Sequence, residues 1–226
     1  MKRLIKHSNL FPHRDDFIIK ECRGKNVLHI GACDWPFTEK KFNSSSLLFQ
    51  KIDAVCSQQL GVDMDKGSID FLNSKNLKKS KLVMADMNDS FETSFDTEVI
   101  IFADTLEHLS NAGVALESLK NKMSQNTKMI LTVPNAFFVG NFMYSFLGRE
   151  AQHPDHKAAY TPKTLTQLLT SCEFHINELY MTYPDTNNPS INLRGAIYFA
   201  ITKPLGYIFP MMASTLMVVC KKNKQY

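Results

Sequence analysis

Short apolar runs alternate along this chain with segments whose apolar positions recur at three- and four-residue spacing. Glu98-Val99-Ile100-Ile101-Phe102-Ala103 is β-branched and nearly continuous, which predicts a central strand buried on both faces. Residues 26–30, 61–65, 81–85 and 128–133 predict four further strands. Residues 174–183 and 214–220 predict a last pair running antiparallel to each other. Between them, helices are expected at 47–56, 67–73 and 111–123, the last through Val114, Leu116, Leu119 and Met123. Ser44-Ser45-Ser46 offers an N-cap for the first of these. Thr161-Pro162 opens another helix that carries Leu165, Leu168 and Leu169. This alternation predicts an α/β fold: a doubly wound, mostly parallel, seven-stranded sheet with an antiparallel C-terminal strand pair. One domain is expected over residues 1–226, with a lead-in at 1–24, a ligand-binding core at 24–183 and a C-terminal helix and strand within 184–226.

Composition narrows the class without choosing a function. The 226 residues are enough for one α/β domain with a full core. Hydrophobic residues at 44% and charged residues at 21% are ordinary for a soluble globular chain. The net charge of +4 is mildly basic, and no Lys/Arg run is interleaved with aromatics, so composition does not argue for nucleic acid. Lys221, Lys222 and Lys224 read as a solvated tail. The five cysteines (Cys22, Cys33, Cys56, Cys172, Cys220) never stand as Cys-x-x-Cys. They predict reduced thiols in a cytoplasmic protein rather than a disulfide scaffold or a zinc site. Lys2, Arg3 and Lys6 are followed by no apolar stretch, so no secretory signal is expected. From Ala196 to Cys220 the only charge is Lys203, but Lys203-Pro204 and Pro210 divide the segment into pieces too short to span a bilayer. A core-packed helix and a strand are expected there, with peripheral membrane contact as the alternative.

Candidate chemistry lies at the strand ends. Open α/β sheets bind ligands outside the carboxyl ends of their strands, and Gly31, Asp63, Asp86 and Asp104 each follow a predicted strand. Gly31 permits a sharp turn and close backbone approach. Asp63 can accept two hydrogen bonds from a ribose diol, and Asp86 one from an exocyclic adenine amine. Asp104 ends the central strand, where the reacting end of a ligand would lie.

These residues resemble the class I S-adenosylmethionine-dependent methyltransferases, over about residues 24–183. Val-Leu-His-Ile-Gly-Ala (27–32) stands where that family has its Gly-rich motif. Gly61-Val62-Asp63 is similar to its ribose-binding strand end, and Ala85-Asp86-Met87 to its adenine-binding one. Ile101-Phe102-Ala103-Asp104-Thr105-Leu106-Glu107-His108-Leu109 and Leu131-Thr132-Val133-Pro134-Asn135 are similar to the fourth and fifth motifs of the type 11 and type 23 subgroups. The resemblance implies S-adenosyl-L-methionine as cofactor, held by Gly31, Ala32, Asp34, Asp63, Met64, Asp86, Met87 and Asp104. The chain departs from the pattern where His29 replaces an acid and Cys33 a second glycine. His29 is expected in the core. Gly31 and Asp63 are also further apart than the usual ~20 residues of dinucleotide folds, which predicts an extra loop at about 35–46.

Asp104-x-x-Glu107-His108, with His156 downstream, offers ligands suited to Mg²⁺ or Mn²⁺. Ubiquinone-pathway O-methyltransferases and small-RNA 3′-terminal 2′-O-methyltransferases carry a similar acid-x-x-Glu-His site. Asp155-His156-Lys157-Ala158-Ala159-Tyr160-Thr161 resembles the later segment of the RNA enzymes. A metal chelated by a diol would lower the hydroxyl pKa. Without a metal, His108, His153 or His156 is the candidate general base, and Glu107, His108 and His156 are the catalytic candidates. Phe137, Phe138, Phe142 and Tyr144 offer a lid over the acceptor. The expected reaction is O-methylation of a sugar, glycan precursor or small metabolite. RNA ribose 2′-O-methylation and a cofactor-free binding module are the alternatives.

Overall fold

The computed structural model describes residues 9–11, 13–86, 91, 93–183 and 193–223. Met87 and residues 1–8 of the lead-in lie outside them. Among the described residues, eight strands form one sheet: β1 (Leu10–Phe11), β2 (Asn26–Ile30), β3 (Gln58–Asp63), β4 (Ser80–Met84), β5 (Val99–Ala103), β6 (Lys128–Pro134), β7 (Phe174–Thr182) and β8 (Thr215–Lys222). Their spatial order is β1-β7-β8-β6-β5-β2-β3-β4. The pairs from β4 through β6 are parallel, and β8 runs antiparallel to both β6 and β7. The seven expected strands are all present. The two-residue β1, parallel to β7, adds an edge that no apolar run announces.

Each face of the sheet is covered because its strands bury alternate residues on opposite sides. Leu28, Ile30, Ile100, Phe102, Leu131 and Val218 pack with α5 (Ala112–Asn121) and α7 (Pro162–Ser171). Val27, Val99, Ile101, Ile130 and Met217 face the other way, onto α1 (Arg14–Cys22) and α3 (Leu48–Val55). A third cluster joins Ala32, Cys33 and Phe49 to Ile69 and Leu72 of α4 (Lys66–Asn73).

Several local expectations change. The extra loop at 35–46 contains a short helix, α2 (Thr38–Asn43). The three serines do not cap α3, whose N-cap is Leu47 with no side-chain bond; the Ser44 and Ser46 hydroxyls instead turn back to carbonyls of α2. Thr161 does cap α7, in a reciprocal capping box with Thr164. Pro204 does not break the C-terminal helix: α8 spans Leu193–Ile208 and continues through it. Nor is α8 wholly packed in the core, since Tyr207 and Ile208 at its end are exposed.

Gly206 is where α8 closes on the sheet. A Cβ there would stand 1.7 Å from Tyr183 Oη and 2.9 Å from its Cζ. Tyr183 is fully buried and donates to the Lys203 carbonyl at 3.2 Å. Gly206→Ala is therefore expected to cost about 1–3 kcal/mol through overpacking, and Tyr183→Phe in the same chain to recover part of it. Urea unfolding of the four members of that cycle reads the coupling; simple additivity would contradict the contact.

Candidate active site at the switch point of the sheet

The sheet order reverses direction between β2 and β5, and a crevice opens beyond their carboxyl ends. Its volume is about 150 Å³, and its lining includes Arg14, His29, Gly31, Asp34, Lys41 and Asp104. Three of its residues have left-handed backbone: Gly31 (φ 67°), Asp34 (φ 60°) and Asp104 (φ 47°). For the two aspartates this conformation is uncommon, and strained backbone of this kind gathers at functional sites.

Gly31 is required by packing. A Cβ on it would lie 2.0 Å from Thr105 Oγ1, so the turn after β5 sits directly on the turn after β2. Asp63 then locks the same turn from the other side. Its Oδ2 accepts from the Cys33 amide at 2.8 Å, while Oδ1 accepts from the amides of Met64 and Asp65 at 2.8 and 3.1 Å. A carboxylate has about four acceptor positions, so one remains for a ligand hydroxyl. Met64 and Met84, after β3 and at the end of β4, are exposed side by side with this strand end. Asp86, beyond β4, is half-buried.

Arg14 was not identifiable from the sequence as a site residue. It stands at the start of α1, 90 positions from its partner, and forms an ion pair with Asp104. Its Nε also meets Asp15 Oδ1 at 3.1 Å, and Lys51 meets the other Asp15 oxygen at 3.0 Å. Burial opposes the guanidinium charge, but Asp104 and then Asp15 hold its pKa above the ordinary value. Asp104 also accepts from Thr132 Oγ1 at 3.0 Å. Asp34 is ion-paired with Lys41. Ala32 is buried with its amide on the Val62 carbonyl.

His29 is buried on the face of β2 that meets α1 and α3, as expected of a core histidine. Its Nδ1 is buried without a partner. Burial, and then Arg14, push its pKa down to about 3, so it is a neutral wall of the crevice.

A second cluster lies beyond Asp104. Residues 106–108 form a single 3₁₀ turn, and the Lys157 and Ala158 amides donate to the Glu107 carbonyl at 2.7 and 3.3 Å. That brings the Asp155-His156-Lys157 segment onto the turn. Ligand atoms of Glu107, His108 and His156 all lie within 4.8 Å of one another. His156 Nε2 is 3.9 Å from Glu107 Oε1, and the His108 and His156 rings are 4.7 Å apart. Glu107 is 1% exposed and its Oε2 has no partner. Burial first, and then Asp104, push its carboxyl up to about 8. Burial, His108 and His153 lower the pKa of His156. Asp104, expected in the same ligand set, turns instead to Arg14 and Thr132.

A cleft of about 470 Å³ is lined by Asn141, Phe142, Ser145, Arg149 and Gln152, the last of which precedes His153 in the chain. It lies between α6 (Val139–Phe146) and the segment leading into His153. Of the four aromatics expected as a lid, Phe137, Phe142 and Tyr144 are exposed, whereas Phe138 is buried in the core.

No protein-family model matches the sequence, and no curated protein matches it significantly. Solved structures do match along most of the chain. A SAM-dependent methyltransferase from Archaeoglobus fulgidus is 17% identical, with a TM-score of 0.56 over 92% of this chain and 91% of that one. One from Aquifex aeolicus is 11% identical, with a TM-score of 0.59 over 92% and 88%. The fold is that of the class I S-adenosylmethionine-dependent methyltransferases. The [4+2]-cyclase SpnF is also similar, 11% identical with a TM-score of 0.59 over 93% of this chain and 81% of SpnF. The methyltransferase fold thus carries more than one chemistry, and function has to be argued from the site.

Proposed function

We propose that the protein transfers a methyl group from S-adenosylmethionine to a hydroxyl oxygen of a sugar, glycan precursor or small metabolite. The observation that carries this reading is the Glu107–His108–His156 cluster, with a buried, unpartnered Glu107 oxygen, beside the β5 end of the switch-point crevice. The crevice, taken together with the neighbouring ends of β3 and β4, suits the cofactor. Asp63 retains an acceptor position for a ribose hydroxyl, and the exposed Met64 and Met84 offer an apolar surface to a purine. Arg14 supplies a cation for the amino-acid carboxylate, and the ammonium would share the half-exposed Asp104 carboxylate with Arg14, since both oxygens of the buried Asp15 are already paired with Arg14 and Lys51. The cofactor, once bound, supplies a methyl already activated on a sulfonium, so the protein's work is positioning and proton removal.

For proton removal the two shifts are complementary. His156 is neutral at physiological pH and accepts the hydroxyl proton, while Glu107, protonated in the absence of a cation, orients it. Glu107, His108 and His156 would also hold Mg²⁺ or Mn²⁺, whose charge would lower the pKa of a chelated hydroxyl. The unpartnered Glu107 oxygen fits such a role. The 470 Å³ cleft, with Phe142 as an apolar platform among polar side chains, is suited to a hydroxylated acceptor. The five buried, unpaired thiols support a reducing, cytoplasmic setting.

Calorimetry with S-adenosylhomocysteine tests the cofactor, and absence of binding at millimolar concentration would sink the proposal. Methylation of glycosyl acceptors and of short RNA oligomers, with and without EDTA, separates the acceptor classes and tests the metal. His156→Ala is expected to lower kcat by roughly 10²-fold or more with S-adenosylhomocysteine affinity unchanged. Glu107→Gln, which keeps a neutral hydrogen-bonding group but loses a metal-ligating carboxylate, is expected to do the same with Mg²⁺ or Mn²⁺ supplied and to have far less effect in EDTA. Equal losses in binding and turnover would remove both residues from the chemistry.

A further inference from the structure

Large exposed apolar side chains are not scattered over this protein. Among the described residues, nine of fifteen lie at 137–147 and 207–209, on or beside α6 and at the end of α8, two helices that pack against each other. Phe146 and Leu147 are 86% and 71% exposed, and Ile208 and Phe209 are 58% and 53% exposed. Exposed apolar surface this concentrated marks an interaction site rather than ordinary surface composition.

The accompanying charges indicate the partner. α6 carries no charge, and α8 carries two basic residues and no acid. The chain leaving α6 folds back so that the Arg149 amide donates to the Tyr144 carbonyl at 3.0 Å, which puts a cation at the rim of the apolar group. Lys203 stands four residues before Tyr207, on the same side of α8, with its ammonium 5.8 Å from the Tyr183 ring that stacks on Tyr207. Glu150 is the only acid in these segments. Aromatic and aliphatic side chains flanked by cations match the boundary of an anionic bilayer, where apolar groups enter the acyl region and cations meet the headgroups. No helix among the described residues is long and apolar enough to cross a membrane, so such a contact lies on the surface.

We propose that α6 and the end of α8 form a peripheral docking surface for anionic lipid bilayers. Phe142 and Arg149 belong both to this surface and to the 470 Å³ cleft, so docking would open that cleft toward the bilayer. The proposal does not depend on methyl transfer and is read separately from it.

Co-sedimentation of the full chain with vesicles of equal parts phosphatidylglycerol and phosphatidylcholine is the test, with pure phosphatidylcholine vesicles as the comparison. Binding to the anionic vesicles is expected to exceed binding to the neutral ones. The double variant Phe146→Ser, Leu147→Ser is expected to weaken it by roughly tenfold or more. Both positions are exposed, and circular dichroism together with an unchanged urea-unfolding midpoint would show that the variant is folded. Failure to sediment with anionic vesicles would overturn the proposal. So would a concentration-dependent dimer, measured without lipid, that the double variant abolishes, since the surface would then belong to a second copy of the chain.

Discussion

Asp63→Asn is expected to weaken S-adenosylhomocysteine binding by roughly 30-fold or more, equivalent to about 2 kcal/mol. The reason is the number of donors already aimed at this carboxylate. The Cys33 amide occupies one oxygen and the Met64 and Asp65 amides the other. An asparagine in either orientation must turn its NH₂ toward at least one of these N–H groups. The turn after Gly31 then loosens at the point where it meets Thr105, and the last acceptor position for a ribose hydroxyl is lost or misdirected. Stability is expected to fall as well, by about 1–3 kcal/mol, because a buried donor loses its acceptor. Titration calorimetry below the melting transition separates the two effects. Reduced stability with unchanged affinity would make Asp63 a structural lock and not a cofactor contact.

Acidification from pH 7 to pH 5 should cost the wild-type protein about 2 kcal/mol more stability than it costs a His29→Leu variant. In the folded chain burial pushes the His29 pKa down to about 3, against 6.5 for an ordinary histidine. Between those values the unfolded chain binds a proton that the folded chain refuses. The stability associated with neutral His29 is thus complete above pH 6.5 and lost progressively as pH falls toward 3. Leucine at this position, between Phe49 and the β5 neighbour Ile101, removes the proton linkage and keeps an apolar side chain. Urea unfolding of both proteins at the two pH values gives the comparison directly. Parallel losses in the two proteins would mean that His29 is protonated in the native state or that water reaches its Nδ1.

The sheet was legible because its signals are local. Val99-Ile100-Ile101-Phe102 has no polar position to turn outward, so it can only be a central strand. Thr161-Pro162 carries its own capping chemistry within four residues. Asp63, the last residue of β3, and Asp104, the residue after β5, could be placed at the ligand-binding edge from strand direction alone. Elements whose ends depend on remote packing were less legible. α8 runs through Pro204 and β1 is only two residues long, and neither follows from local propensity.

The strand pattern, the acidic strand ends and the Glu107-His108 and His156 residues were therefore determined by sequence. Which of them meet was decided by the tertiary structure. α1 packs on one face of the sheet and delivers Arg14 to Asp104, drawing that carboxylate away from the histidines. The backbone of 157–158 docks on Glu107 and brings His156 to it. Gly31 is needed because Thr105, on another strand's turn, fills the space where its Cβ would stand. Ion pairing, burial and excluded volume depend on distances across the fold, and no spacing along the chain encodes them.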